Sequence, residues 1–285
     1  MQTLVKTDWL NEHLDDPDLV VLDCTIKFRP LEGGGFEVSS GKAAYDEEHI
    51  PNAGFADLTV DLADPDSTLQ FAMPTVERFT TAMGALGVGD GTRVVLYDAM
   101  MAACAARVWW MLRWVGFDDA ALLDGGLRAW TAEGRGLSTE PADRPARTLT
   151  PHVRPEVIAD RDDVRAAIDD PAVQLVDTLS ADHYSGKQAM YARPGHIPGA
   201  SNVSAFEILD ESGRYRSHEE LNAMMAGDRN ARTITYCGGG IAASSNAFIM
   251  ARLGFTNVAV YTASLQEWAA DPANPMVVGD EADGT

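Results

Sequence analysis

Asp15–Asp23 reads DDPDLVVLD, and 154 residues further on Asp169–Asp177 reads DDPAVQLVD. Each stretch passes through an acidic proline turn into a short apolar run that ends in aspartate, the pattern of a helix end, a turn and a buried strand. Other pairs follow in the same order. His49-Ile50-Pro51 recurs as His196-Ile197-Pro198 at an offset of 147, and Tyr97-Asp98 as Tyr236-Cys237 at 139. Gly116-Phe117 recurs as Gly254-Phe255 and Trp130 as Trp268, both at 138. Kept order with slowly drifting offsets indicates two copies of one domain that differ by a few loop insertions. A period this long marks a domain duplication and not a solenoid.

Each copy alternates short apolar runs with segments of helical period. Strands are predicted at Leu19–Leu22, Arg93–Tyr97 and Ala120–Leu123 in the first copy, and at Val173–Val176, Arg232–Tyr236 and Val258–Val260 in the second. Helices fit Pro74–Leu86, Ala102–Val115, His218–Met225 and Ala243–Leu253. This alternation predicts an α/β protein of two tandem domains, each a largely parallel sheet flanked by helices. The stretch from Leu137 to Pro155 holds Pro141, Pro145, Pro151 and Pro155 and has neither period, so it reads as a linker. The domain spans are placed at 1–139 and 153–285, joined by 140–152.

The chain has 285 residues, 46% of them hydrophobic, enough for about two domains at roughly 100–200 residues each. Lys and Arg number 22 against 43 Asp and Glu, a formal net charge of −21. Such a charge repels phosphate backbones and anionic lipid unless a basic patch intervenes, and none is visible, so nucleic-acid and membrane partners are not expected. The acidity itself suits solubility or salt tolerance. The most apolar segment, 102–117, carries Arg107 and Arg113 and falls short of a membrane span. Met1 to Asp15 lacks the pattern of a secretory signal, and a cytoplasmic location is expected. Cys24, Cys104 and Cys237 are far apart, without the spacing of a zinc site or a disulfide scaffold. No metal or organic cofactor is expected.

One stretch carries a chemical signature. Tyr236-Cys237-Gly238-Gly239-Gly240-Ile241-Ala242-Ala243 follows an apolar strand and enters a helix-forming run. A cysteine at a strand's carboxyl end, before a glycine turn and a helix amino terminus, sits where open α/β sheets present reactive groups. Three glycines can turn backbone amides inward around an anion. Amides and helix dipole together would stabilise a thiolate or persulfide and lower the thiol pKa below its free value of roughly 8.5. The alternative is an inert buried cysteine beside a glycine turn. Cys24 and Cys104 have no such loop and read as core residues, and Trp109, Trp110 and Trp114 read as helix packing toward a domain interface.

With HIPNAGF and HIPGASN, ARVWWMLRWVGF followed by LLDGGLRAW, and CGGGIAA, nearly the whole chain resembles a two-domain rhodanese-type sulfurtransferase. The resemblance implies that only the second copy keeps the catalytic cysteine. Asp98 stands in its place in the first, where Ala99-Met100-Met101-Ala102 has no glycine to shape an anion nest. It implies that Cys237 is the nucleophile, taking sulfane sulfur from a small anionic donor as a persulfide and passing it to a thiophilic acceptor by a ping-pong route. The acceptor would be a thiol or cyanide, with a thioredoxin-like reductant as one candidate. The site would lie between the domains, with Gly238, Gly239, Gly240, Ile241 and Ala242 forming the substrate loop.

Departures from the family pattern bear on the donor. Thiosulfate-type members carry Arg and Lys after the cysteine, and mercaptopyruvate-type members carry Gly and Ser; this chain has Gly238 and Gly239. The missing cations lead to an expected modest preference for 3-mercaptopyruvate over thiosulfate, with thiosulfate:cyanide transfer and a non-catalytic sulfur-relay or partner-binding double domain as alternatives. His49 matches a first-domain relay histidine, but Ser40 stands where its acid would be. Leu179 and His183 replace two arginines after Asp177, which leaves His183, Lys187 and Arg193 as candidate anion holders, Arg193 for its bidentate guanidinium. Arg193 equally fits a surface arginine, and His196 a structural turn. Tyr261-Thr262-Ala263-Ser264 replaces an Asp-Gly pair, so the loop facing the nest is expected to differ in shape. A phosphatase of the same fold would need arginine at the position of Ala243.

Overall fold

The computed structural model describes residues 1–30 and 36–279; the end of the second domain span placed from sequence, 280–285, lies outside them. In the first copy the elements run β1 (Leu4–Val5), α1 (Thr7–His13), β2 (Leu19–Asp23), β3 (Ile26–Pro30), β4 (Phe36–Ser40), α2 (Lys42–Glu47) and β5 (Ala53–Phe55). They continue with α3 (Val76–Ala85), β6 (Arg93–Tyr97), α4 (Ala103–Trp114), β7 (Ala120–Leu123) and α5 (Gly126–Ala132). The second copy runs β8 (Ile158–Ala159), α6 (Arg161–Ala167), β9 (Val173–Asp177), α7 (Ala181–Tyr184), β10 (Ala200–Asn202) and α8 (His218–Met224). It closes with β11 (Arg232–Tyr236), α9 (Ile241–Arg252), β12 (Val258–Tyr261) and α10 (Ser264–Trp268).

Each copy builds a five-stranded parallel sheet, in the orders β1-β7-β6-β2-β5 and β10-β9-β11-β12-β8. The central strands are buried along nearly their whole length, which is why they read as continuous apolar runs. The duplication is visible in the turns. Tyr97 Oη accepts the Ile50 N–H, and Tyr236 Oη accepts the Ile197 N–H. His49 stacks on Tyr45, and His196 stacks on Tyr184.

The two copies share one core. α4 is buried at every position from Ala103 to Leu112, and α9 is buried nearly as completely. A helix apolar all round belongs inside a protein, and these two pack against each other between the sheets. Trp109 meets Phe248 edge-on, with ring centroids 5.0 Å apart, and donates its indole N–H to the Ala120 carbonyl. Trp110 donates to the Val157 carbonyl across the copies, whereas Trp114 lies against Phe79 within the first copy. One charge interrupts this apolar run, Arg107.

An antiparallel hairpin, β3 paired with β4, has no counterpart among the described residues of the second copy, and the strands predicted from sequence do not include it. Its signal is a weak alternation: Ile26, Phe28 and Val38 turn inward, whereas Lys27, Arg29, Glu37 and Ser39 stay exposed.

Candidate functional site

β11 ends at Tyr236 and delivers Cys237, 2% exposed, to the loop that opens α9. Gly240 caps the helix with φ +81° and points its N–H at Cys237 Sγ, 3.1 Å away. A Cβ on Gly240 would lie 2.6 Å from the Thr262 carbonyl oxygen and 2.9 Å from Thr262 Cα, so glycine is required for space as well as conformation. A Cβ on Gly238 would run into the Tyr191 hydroxyl. The loop after β12 braces the cysteine from the other side. The Cys237 N–H donates to Ser264 Oγ at 3.1 Å, the Ser264 hydroxyl donates to the Tyr261 carbonyl at 2.6 Å, and the Leu265 N–H donates to the Cys237 carbonyl at 3.0 Å. Ser264 is held at φ +54°, a conformation costly for a residue with a Cβ. Its first-copy counterpart Gly126 has the same φ, +54°, but the residue before it does not match: Gly125 is left-handed at φ +82° and Ala263 right-handed at φ −74°, so the loop differs in shape where Asp-Gly is replaced.

The matching loop of the first copy corrects one expectation. Without glycine it still forms an anion nest. Asp98 accepts the N–H groups of Met100 and Ala102 on Oδ1, at 2.9 and 3.0 Å, and that of Ala105 on Oδ2 at 3.0 Å. Ala102 takes the cap conformation of Gly240, at φ +57°. The first copy therefore fills its own nest with a carboxylate, whose pKa burial raises against the pull of those amides.

Arg107 of α4 lies behind the cysteine loop and is 1% exposed. Its Nη2 donates to the Phe71 carbonyl at 3.0 Å, whereas Nε and Nη1 have no hydrogen-bond partner among the described residues. Nη1 lies 3.2 Å from where a Gly240 Cβ would stand. Burial lowers the guanidinium pKa to about 10 and the Cys237 charge opposes that fall, so Arg107 stays cationic at neutral pH. Phe71, which binds it, is itself at φ +58°, an outlier for a bulky side chain. Tyr191 has its hydroxyl pKa pushed up by burial and by Cys237.

In front of Cys237 opens a cavity of about 490 Å³ between the copies. The first copy contributes Phe28, Phe36, Val38, Phe71, Met100 and Cys104 among others, and the second contributes Leu179, Tyr191, Phe206, Ile241 and Ala242 with the loop glycines 238 and 239. No charged side chain lines it among the described residues. Cys104, read from sequence as a core residue, is buried and also reaches this wall; burial, then Asp98, pushes its thiol pKa well up. Cys24 is buried with its thiol 3.8 Å from the Leu22 carbonyl.

The expected anion holders lie elsewhere. Arg193 does not line the cavity: its guanidinium donates to the carbonyls of Trp268, Ala269, Asp271 and Asn274, at 2.7 to 3.2 Å, and ties the chain after α10 to the preceding loop. His183 turns Nδ1 to Ser180 Oγ at 2.7 Å on the short α7, and burial lowers its pKa. Lys187 has its side chain 74% exposed, 4.0 Å from Asp182. Neither lines the cavity. His49 is also corrected: both ring nitrogens face carbonyls, of Tyr45 at 2.7 Å and Glu140 at 2.9 Å, which fixes a turn within the first copy. His196 holds the same turn in the second, with Nδ1 facing the Tyr184 carbonyl at 2.8 Å. Ser40 donates to Asp57 and not to His49.

The model of the rhodanese-like domain matches residues 6–133 and again 160–271. The chain belongs to the rhodanese-like domain family. A probable 3-mercaptopyruvate sulfurtransferase of Pseudomonas aeruginosa is 32% identical, over 97% of this chain and 98% of that one. A putative thiosulfate sulfurtransferase of Mycobacterium tuberculosis is also 32% identical, over 97% and 98%. The crystal structure of SseA from Escherichia coli, described as a 3-mercaptopyruvate sulfotransferase, superposes with a TM-score of 0.80 at 29% identity, over 93% of this chain and 99% of that one. This rhodanese-like protein is a sulfurtransferase, and its substrates are therefore a sulfur donor and a sulfur acceptor. No helix among its described residues is long and apolar enough to cross a membrane.

Proposed function

We propose that this protein moves sulfur through a persulfide on Cys237, with 3-mercaptopyruvate preferred to thiosulfate as the donor. The observation that carries the reading is the Gly240 N–H aimed at Cys237 Sγ at 3.1 Å, in a loop backed by the Arg107 guanidinium. In the first step the Cys237 thiolate attacks the donor sulfur. The carbon–sulfur bond breaks, the electron pair leaves as the enolate of pyruvate, and the enolate takes a proton. Sulfur remains on Cys237 as a persulfide. The charge on sulfur is held by the Gly240 amide, the amino terminus of α9 and the buried cation behind them.

The donor preference rests on the cavity wall. Thiosulfate concentrates two charges on a compact ion, and no side-chain cation meets it there among the described residues. Mercaptopyruvate carries one carboxylate and brings a carbon frame to an apolar wall. The cytoplasm is the proposed compartment, supported by three thiols that all stand free. Parallel initial-rate assays with the two donors and cyanide as acceptor test the reading. The larger specificity constant should belong to mercaptopyruvate; a larger one for thiosulfate refutes the donor preference, and failure of both donors to add sulfur to Cys237 refutes the persulfide reading.

A further inference from the structure

We infer that the sulfur acceptor is a small apolar thiol with a body of aromatic-ring size, bound in the cavity in front of Cys237. The inference rests on the persulfide reading and adds the acceptor's chemical class. The cavity measures about 490 Å³, within the roughly 300–1,000 Å³ that encloses an organic ligand. That is far more room than either thiosulfate or a three-carbon acid needs. Its wall is apolar on both sides, with Phe28 and Phe71 from the first copy facing Leu179 and Tyr191 from the second.

Its side-chain amides are already engaged. Gln266 Oε1 accepts the Gln70 N–H at 3.0 Å, and Gln266 Nε2 donates to the Gln70 carbonyl at 2.8 Å, closing a clasp between the copies. The rim is apolar as well: Phe206, Phe36 and Met100 are 53%, 41% and 39% exposed, and each borders the cavity. Large apolar side chains left in water around a concave apolar wall fit a ligand that covers them.

The acceptor's thiolate attacks the outer sulfur of the Cys237 persulfide. The sulfur–sulfur bond breaks, its electron pair returns to Cys237 Sγ as the thiolate, and the acceptor departs with the outer sulfur, and any proton that sulfur carried, as its own persulfide. No external oxidant or reductant enters the step. The apolar wall acts by burying the acceptor's body, and that burial raises the rate by raising occupancy of the attacking position.

The test is a single-turnover reaction with two probe thiols of similar acidity, phenylmethanethiol and 2-mercaptoethanol. The full-length protein is first loaded with sulfur, freed of donor, and checked by mass spectrometry for the added sulfur. Loss of persulfide is then followed after mixing with each thiol. Phenylmethanethiol should react with a second-order rate constant at least tenfold larger. Phe206→Ala, at an exposed position where folding is safe, and Phe28→Ala should each shrink that ratio several-fold. Equal rate constants for the two thiols, or a ratio that neither substitution changes, would overturn the inference. Failure to load sulfur would instead overturn the persulfide reading, before any acceptor is added.

Discussion

Gly240→Ala should damage both the reaction and the fold, whereas Gly239→Ala should do little. At Gly240 the new methyl meets Thr262 backbone at 2.6 and 2.9 Å and Arg107 Nη1 at 3.2 Å, and φ is +81°. The left-handed conformation alone costs roughly 1–2 kcal/mol. Ala102 shows that this fold tolerates it at the equivalent cap, so the clash with backbone is the decisive part. Relief requires the loop to move away from Thr262, which lengthens the 3.1 Å contact from the Gly240 N–H to Cys237 Sγ. A hydrogen bond to a charged group contributes about 1.5–3 kcal/mol, so persulfide formation should slow by roughly 10- to 100-fold. The unfolding free energy should fall by about 1–3 kcal/mol. A methyl on Gly239 has three nearest neighbours that are all side-chain atoms, Gln266 Nε2 at 3.1 Å, Phe71 Cδ2 at 3.5 Å and Gln266 Cδ at 3.7 Å, so its rate should stay within about threefold of wild type. Rapid-mixing persulfide formation and urea denaturation on the same preparations give both quantities. A wild-type rate for Gly240→Ala, or equal losses for the two variants, would refute the reasoning.

Arg107→Met should slow persulfide formation at neutral pH by about tenfold while leaving Tm equal or higher, because it removes a buried cation with two unpaired nitrogens; an unchanged rate measured by rapid mixing would remove Arg107 from the account. Asp177 has its pKa raised to about 7 from 3.8, chiefly by burial, so the folded state binds the extra proton between those values and wild-type stability from this group falls as pH rises through that window. Asp177→Asn should therefore gain on wild type between pH 4 and pH 7 in urea midpoints, and parallel curves would contradict the assignment. Added salt should raise the specificity constant for anionic donors at low ionic strength, more for thiosulfate than for mercaptopyruvate. The reason is that the net charge of −21 acts at long range and is screened as the Debye length falls from roughly 30 Å at 0.01 M to about 10 Å at 0.1 M; steadily falling rates for both would show a local positive potential in control.

The duplicated turns and the inner strands were legible in the sequence because a parallel strand buried on both faces writes itself as an uninterrupted apolar run, as in LVVLD at Leu19–Asp23. The glycine loop was legible for a similar reason, since a reactive cysteine, a positive φ and a helix start lie within five residues. The rest of the site was not local. The hairpin of β3 and β4, Phe71, Met100, Tyr191 and Phe206 meet only when two domains pack, and nothing in their neighbourhoods announces it. Arg107 appeared as an interruption in an apolar helix; that a charge sat in a segment otherwise fully buried was the available sign of a function. Arg193 shows the converse error. A guanidinium near the site suggested anion binding, but four carbonyls of the segment from Trp268 to Asn274 already occupy its donors. The nest around Asp98 formed without glycine because Ala102 adopts the left-handed cap at φ +57°.

The central claim is that Cys237 alone carries transferable sulfur. Mass spectrometry of proteolytic peptides after donor treatment should show one added sulfur on the peptide containing Cys237 and none on those containing Cys24 or Cys104, with sulfur transfer to cyanide abolished in Cys237→Ser. Added sulfur on the Cys104 peptide, or full transfer activity in Cys237→Ser, would contradict it.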